Sequence, residues 1–499
     1  MWNVITRRTF AAGLAGVAAG PAAARGREPA GALLDRGVPD LLRQFGEPGL
    51  AVAVVSQGRI RLARGYGIGD IATGAPVTPD TAFMFGSLTK SVNAAGLGLL
   101  VDQGRLELDR PVARVLPQFG LADEAQGAAV TVSDLLTHAT GLPAHNLVWY
   151  GAPDFRRDQA PEAARELPLS APRGTRWQYN NLMYVVAGCV LERLAAGSWE
   201  PFTQARLLQP LGMRAAGFGL SAFMAHPLRA APHAQSGQRI LAIPPYDLSA
   251  VAPAGGLVAS IREAALWVRF LLDGRDRHGR PLLSPETRAQ LQRPRLATGR
   301  PDRDPGVTSL GYACGLHVDS YRGEPRLQHT GSIDGFHAYM VLFPKRNLGL
   351  LAVCNAEGGR SPEAALHMLS DHLLDLPAVD WPAHHLRLKA ESTPPAPVAQ
   401  DADAAQLTPR HEGRYAHPAY GSIRIYRRDG RPRLALHGLD VQLAATPGSG
   451  LVTRSSGVGA LAALDGVPVS FDGDRNGAPE TLSATLEPAA APIVFRKLG

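Results

Sequence analysis

The stretch Phe83-Met84-Phe85-Gly86-Ser87-Leu88-Thr89-Lys90 sets a serine three residues ahead of a lysine at the start of a helical pattern. Val92, Ala95 and Leu99 follow at i, i+3 and i+7, and Gly104 stands where a helix C-terminus expects it. At the head of a helix, this spacing puts Ser87 and Lys90 on one face. A serine hydroxyl is a poor nucleophile until a base lies within hydrogen-bond reach. The unpaired N–H groups of a helix N-terminus favour negative charge on its oxygen. A free lysine titrates near ~10.4, so Lys90 serves as that base only if it is desolvated or set among positive charge. Phe83, Phe85 and Leu88 offer the burial. The tetrad alone equally suits an N-capping serine followed by a solvated lysine.

Composition weighs against that second reading. The chain has 499 residues, is 45% hydrophobic and 19% charged, and carries a formal net charge of +7. Such a chain is globular and long enough for more than one domain. Its only lysines are Lys90, Lys345, Lys389 and Lys497, against a large number of arginines. Arginine fills the ordinary cationic positions, so a retained lysine beside a serine is a candidate for giving up its proton. The arginines are scattered, with no basic block or aromatic-interleaved stretch, and binding to nucleic acid has no support.

Two further segments carry chemistry. Arg173-Gly174-Thr175-Arg176-Trp177-Gln178-Tyr179-Asn180-Asn181 precedes a second helix, whose stripe runs through Met183, Val186, Ala187, Val190, Leu191 and Leu194. There Tyr179 can relay protons, and Asn181 can hold both a substrate carbonyl and the lysine. In Gln328-His329-Thr330-Gly331-Ser332, a glycine beside a strand permits close backbone approach. The N–H groups of Ser332 and Ser87 then form an oxyanion hole.

The remaining chain reads as follows. Thr6-Arg7-Arg8-Thr9-Phe10, the Ala/Gly-rich run to Gly20 and Ala22-Ala23-Ala24 form a twin-arginine signal over residues 1–24. This predicts an exported protein, periplasmic or secreted. Leu50, Val52 and Val54, then Gln57-Gly58, then Ile60 and Leu62 predict a hairpin, and Thr131-Val132-Ser133-Asp134 a capping box. Strands are expected at Tyr312 to Leu316, Ala338 to Phe343 and Leu348 to Val353. Strands at both ends of residues 31–376 with helices between predict an α+β domain. Residues 377–405 read as a Pro/Ala-rich linker. Residues 406–499 read as a small β-barrel or sandwich, with turns at Asp429-Gly430, Gly448-Ser449-Gly450 and Asp472-Gly473. Cys189, Cys314 and Cys354 leave at least one thiol unpaired, and no stretch has the ~20 apolar residues of a membrane span.

The order Ser-x-x-Lys, Tyr-x-Asn, His-Thr-Gly resembles the serine β-lactamase and penicillin-binding-protein superfamily, specifically the class C β-lactamase-like hydrolases and D-peptidases. Leu135 to Leu142, Pro210-Leu211-Gly212-Met213, Pro253-Ala254-Gly255-Gly256-Leu257 and Gly331 to Phe336 fit as well. The resemblance covers roughly Gly37 to Leu374, and the C-terminal segment is similar to a β-barrel appended to some of these enzymes. It implies an antiparallel sheet flanked by helices and an acyl-enzyme on Ser87. It also implies proton transfer shared by Lys90 and Tyr179, orientation by Asn181, and substrate or oxyanion contacts from His329, Gly331 and Ser332. His138 and Thr137 belong to a recurrent structural segment, and Gly255-Gly256 to a tight turn.

Members that cleave penicillins usually carry lysine where this chain has His329. A histidine is largely neutral near pH 7, so esters, amides or peptides of D-residues are expected ahead of β-lactams. The expected substrate is a small molecule or a peptide, cell-wall fragments included, and no cofactor is expected. Without a class A type Glu loop, deacylation reuses Lys90 and Tyr179. Gly-x-Ser-x-Gly in a strand context is absent, and His384-His385 and His411 lack metal-ligand spacing. The rival reading is a penicillin- or peptide-binding protein without efficient turnover.

Overall fold

The computed structural model describes residues 28–236, 239–392, 407–445, 450–455, 459–474 and 479–498. The segment read as an export signal therefore lies outside the described residues, as do Gly448 and Ser449, where a turn is expected.

Strands β1 (Gly49–Ser56) and β2 (Arg59–Asp70) form the expected hairpin, with Gln57 and Gly58 both at positive φ. They join β3 (Ala75–Pro76) and five strands from the far end of the domain. These are β4 (Val307–Tyr312), β5 (His317–Tyr321), β6 (Glu324–Ile333), β7 (Phe336–Phe343) and β8 (Leu348–Cys354). The sheet order is β3-β2-β1-β8-β7-β6-β5-β4, and the ladders are antiparallel. Both faces of β1 are covered. Leu50, Val52 and Val54 pack with helix α1 (Ala30–Phe45), while Ala51, Ala53 and Val55 belong to the larger core of the helical region.

Helix α2 (Thr89–Asp102) runs through that larger core and is buried from Thr89 to Leu100. Its polar residues are spoken for, because the indoles of Trp267 and Trp199 donate to Ser91 Oγ (2.9 Å) and Asn93 Oδ1 (3.0 Å). Helix α3 (Asn181–Ala195) starts at Asn180, whose side chain accepts from Met183 N–H. The capping box at Thr131 and Asp134 forms as expected.

Three expectations are corrected. Tyr312 to Leu316 is no strand: β4 ends at Tyr312, and Ala313 N–H donates to Leu316 O in the turn to β5. The stretch read as a linker contains helix α5 (Trp381–Ser392), packed on α1 and α4 (Ser361–Leu373), with Trp381 fully buried. Pro382 sits in the first turn of that helix, where a missing N–H costs nothing. Asp472-Gly473 lies inside a strand rather than at a turn: the ladder keeps its register on both sides of Gly473, although that residue sits at φ +79.

The C-terminal strands, from Gly413–His417 to Ile493–Lys497, close into an eight-stranded barrel, which removes both sheet edges. The barrel docks on the loop around His145. Tyr420 OH and His145 Nδ1 lie 2.8 Å apart, and His145 N–H donates to Glu487 Oε2 (2.9 Å). All three cysteines are buried and free. Among the described residues no single helix is long and apolar enough to cross a membrane.

Candidate active site

Ser87 sits in a 3-10 turn, Gly86–Leu88, that leads into α2. Thr89 pins the turn, since its hydroxyl donates to Gly86 O (2.7 Å) and accepts from Leu257 N–H (2.9 Å). One helical turn on, Lys90 Nζ reaches Ser87 Oγ (3.0 Å), Asn181 Oδ1 (2.7 Å) and Ala254 O (2.9 Å). All three acceptors are neutral, and Lys90 is 0% exposed. Burial without a counter-charge holds its amine well below the ordinary lysine range.

Tyr179 O–H donates to Ser87 Oγ at 2.7 Å. Burial pushes the phenol up, against the opposing pull of its Ser87 bond and of Arg300. The tyrosine therefore keeps its proton while the lysine is prepared to lose one. Lys90 Nζ also lies 4.7 Å from the centre of the Tyr179 ring. Asn181, the first residue of α3, turns its other amide atom to Asn146 Oδ1 (3.1 Å).

Strand β6 passes close beside the serine turn. A Cβ on Gly331 would lie 2.0 Å from Phe85 O, and one on Gly86 would lie 2.9 Å from Ser332 N. Only glycine permits this approach, which brings the Ser332 backbone against the residue preceding Ser87. His329 is not open to solvent. It is 2% exposed, bonded to Tyr312 OH (2.9 Å) and Thr330 O, with its ring 6.1 Å from that of Tyr179. Burial and the neighbouring His317 and Lys90 keep it neutral, well below the usual histidine range.

A model of the family described as Beta-lactamase matches residues 38–373. The chain belongs to the beta-lactamase family. It is 30% identical over 503 residues to an unguisins hydrolase of Aspergillus campestris, covering 93% of this chain and 91% of that protein. A second unguisins hydrolase, from Aspergillus violaceofuscus, is 25% identical over 516 residues, covering 91% and 88%. In fold it is similar to the octameric penicillin-binding protein homologue from Pyrococcus abyssi. That similarity has a TM-score of 0.62 at 21% identity over 93% of this chain and 99% of the other. The D-amino acid amidase from Ochrobactrum anthropi superposes with a TM-score of 0.56 at 20% identity, covering 72% and 97%.

This beta-lactamase-family site brings together Ser87, Lys90, Tyr179 and Asn181 by direct hydrogen bonds, with Gly331 and Ser332 alongside. Besides Asn146, sequence reasoning missed three contributors. Ala254 lends Lys90 a backbone carbonyl, from the segment read only as a tight turn. His138, taken as structural, has its ring centre 4.4 Å from that of Tyr179, tilted by 41°, and accepts the Asn180 N–H at Nδ1 (3.1 Å). Arg300 lies 4.6 Å over the Trp177 ring and adds positive field at Tyr179, His317 and His329. It is a permanent cation, exposed to solvent, near the motif where the lysine is missing.

The fold also gathers Asp304, His367 and His385, with ligand atoms within 4.8 Å of one another, although their spacing in sequence gave no hint of it. Arg326 Nη1 lies 3.2 Å from His367 Nε2, and His367 Nδ1 lies 3.0 Å from His385 Nε2. A guanidinium at that ring opposes a bound cation, and His367 Nδ1 and His385 Nε2 already satisfy each other.

Proposed function

We propose that the protein is an exported serine hydrolase that forms an acyl-enzyme on Ser87. The observation that carries this reading is Lys90, fully buried among neutral acceptors and 3.0 Å from Ser87 Oγ. Burial favours the neutral amine, which takes the Ser87 proton as Oγ attacks the substrate carbonyl. The N–H groups of Ser87 and Ser332 stabilise the oxyanion. Tyr179, protonated and 2.7 Å from Oγ, passes a proton to the leaving group and recovers one from Lys90. Water then cleaves the ester by the reverse exchange.

Esters, amides and peptides of D-residues are the proposed substrates, ahead of β-lactams. The unguisins hydrolases support a hydrolytic reaction, and the D-amino acid amidase supports acyl transfer from amides. The neutral His329 supports weak activity on carboxylate-dependent β-lactams. Export is proposed on Arg7-Arg8 and the small-residue run that follows, and N-terminal sequencing of the mature protein checks it.

A screen of nitrophenyl esters, D- and L-amino-acid anilides and a chromogenic cephalosporin, wild type against Ser87→Ala, tests the function. Hydrolysis of esters or D-anilides that vanishes in Ser87→Ala is expected. Cephalosporin turnover as fast as ester turnover overturns the substrate assignment. A labelling burst without turnover means a binding protein instead.

A further inference from the structure

The barrel meets the main domain at a loop that leads to the reactive lysine. Asn146 opens a short 3-10 turn (Asn146–Val148), and its Oδ1 accepts from Asn181 Nδ2 (3.1 Å). Asn181 Oδ1 in turn accepts from Lys90 Nζ (2.7 Å). The barrel holds the residues on both sides of Asn146. His145 N–H donates to Glu487 Oε2 (2.9 Å), and its Nδ1 lies 2.8 Å from Tyr420 OH. Leu147 O lies 3.0 Å from His437 Nε2, in the turn between barrel strands Arg431–Leu436 and Leu439–Ala445.

Each of these bonds has a defined direction. A carbonyl only accepts, so His437 Nε2 donates to Leu147 O. His145 Nε2 likewise donates to Pro168 O (3.0 Å). Burial holds the His145 ring below the usual histidine range, so its Nδ1 is bare and accepts from Tyr420. The loop also needs such partners. His145 lies at φ 44 and ψ 39, the left-handed region that disfavours a residue with a Cβ. Such a conformation persists only where its surroundings impose it. His145 and Tyr420 are fully buried and Glu487 is 9% exposed, so water is poorly placed to replace a lost bond.

We propose that Tyr420, Glu487 and His437 of the barrel are positioning residues for the hydrolytic reaction, acting through Asn146 and Asn181 on Lys90. By fixing residues 145 and 147, they place the Asn146 side chain where it holds Asn181 against the lysine. The barrel is then part of the working site, although its hold on the loop lies two side chains away from Lys90. The inference rests on the acyl-enzyme reading of Ser87 and gives the C-terminal domain a role in it.

The test is a double-mutant cycle on the full chain, read as kcat/KM for nitrophenyl acetate. Tyr420→Phe removes the hydroxyl at His145, and His437→Leu removes the donor to Leu147 O. Each is expected to lower kcat/KM by about tenfold, the scale of a sub-ångström displacement of an orienting group. Asn146→Ala is expected to cost as much or more. In the Asn146→Ala background, the two barrel substitutions should cost less than about twofold further, because the route they act through is already cut. His437→Gln keeps an N–H within reach of Leu147 O and should retain activity. A purely structural role would cost the same factor with and without Asn146. That result, or an unchanged kcat/KM in both Tyr420→Phe and His437→Leu, overturns the proposal, as does a His437→Gln variant no better than His437→Leu. If Tyr420→Phe does not fold, the half-buried His437 variants decide alone. Cleavage that survives Ser87→Ala, or no cleavage by wild type, instead overturns the acyl-enzyme reading and the proposal with it.

Discussion

Two fully buried cations lie on opposite sides of the sheet's functional end, and they are treated in opposite ways. Arg326 meets a carboxylate squarely. Its Nε and Nη2 donate to the two oxygens of Asp319 at 2.8 and 3.0 Å, and this pairing outweighs burial to raise its already high pKa. Lys90 is as deeply buried but meets only a hydroxyl, an amide oxygen and a backbone carbonyl. A buried charge with a partner is held charged, and one without is pushed to neutrality. The first arrangement builds structure, and the second stores a base. The absence of a counter-ion, more than the presence of a lysine, marks the reactive position.

The largest effect is expected at Lys90. Lys90→Met removes the base and should lower kcat/KM by about 10²–10⁴-fold, the usual contribution of a positioned acid–base group. Steady-state hydrolysis, with circular dichroism confirming the fold, measures it. At the other cation the consequence is stability. Asp319→Asn leaves the Arg326 charge buried and unpaired, which should cost about 3–5 kcal/mol in denaturant unfolding. The folded fraction should keep its pH profile.

A sharper variant converts one arrangement into the other. Asn181→Asp places a carboxylate against Lys90 Nζ and raises its pKa by about 1–3 units. Lys90, like Arg326, then faces a carboxylate. Activity near neutrality should drop, and the acid limb of kcat/KM should move to higher pH, as pH–rate profiles will show.

The smallest effect lies in the linkage of Lys90 to folding. Its folded pKa is lowered, so between that pKa and ~10.4 the unfolded chain binds the extra proton. The Lys90 contribution to stability therefore rises with pH across that window and is fully regained above ~10.4. Relative to Lys90→Met, wild type should gain stability from pH 7 to pH 10 in urea titrations.

The contrast between the two cations also shows what the sequence can disclose. Ser87, Lys90, Tyr179 and Asn181 were legible because their chemistry needs particular residue types at short spacing. Gly331 was legible because close backbone approach excludes a side chain. The Ala254 carbonyl was not, since a backbone acceptor leaves no trace in residue identity. Asn146 and Arg300 come from loops without a motif, brought in only by tertiary packing. His138 was visible but read as structural, and its ring contact with Tyr179 depends on its own left-handed backbone at the end of a short helix. In the fold, proline counting hid the helix Trp381–Ser392. That helix is anchored by Trp381, whose indole donates to Asp371 (2.7 Å) and whose ring lies 4.4 Å from that of His367. The barrel was readable from its turns and alternation, but closure rather than a sandwich was not, because the first-to-last strand pairing is non-local.

The most direct test of a neutral, buried Lys90 activating Ser87 is the pH dependence of acylation, followed by mass spectrometry under a slowly hydrolysed nitrophenyl ester. The account predicts a single acyl adduct on the peptide bearing Ser87. It should form at a rate that levels off well below the ordinary lysine pKa in wild type and does so only at higher pH in Asn181→Asp. An adduct on another residue, or an acylation rate still climbing near ~10.4 in wild type, would contradict it.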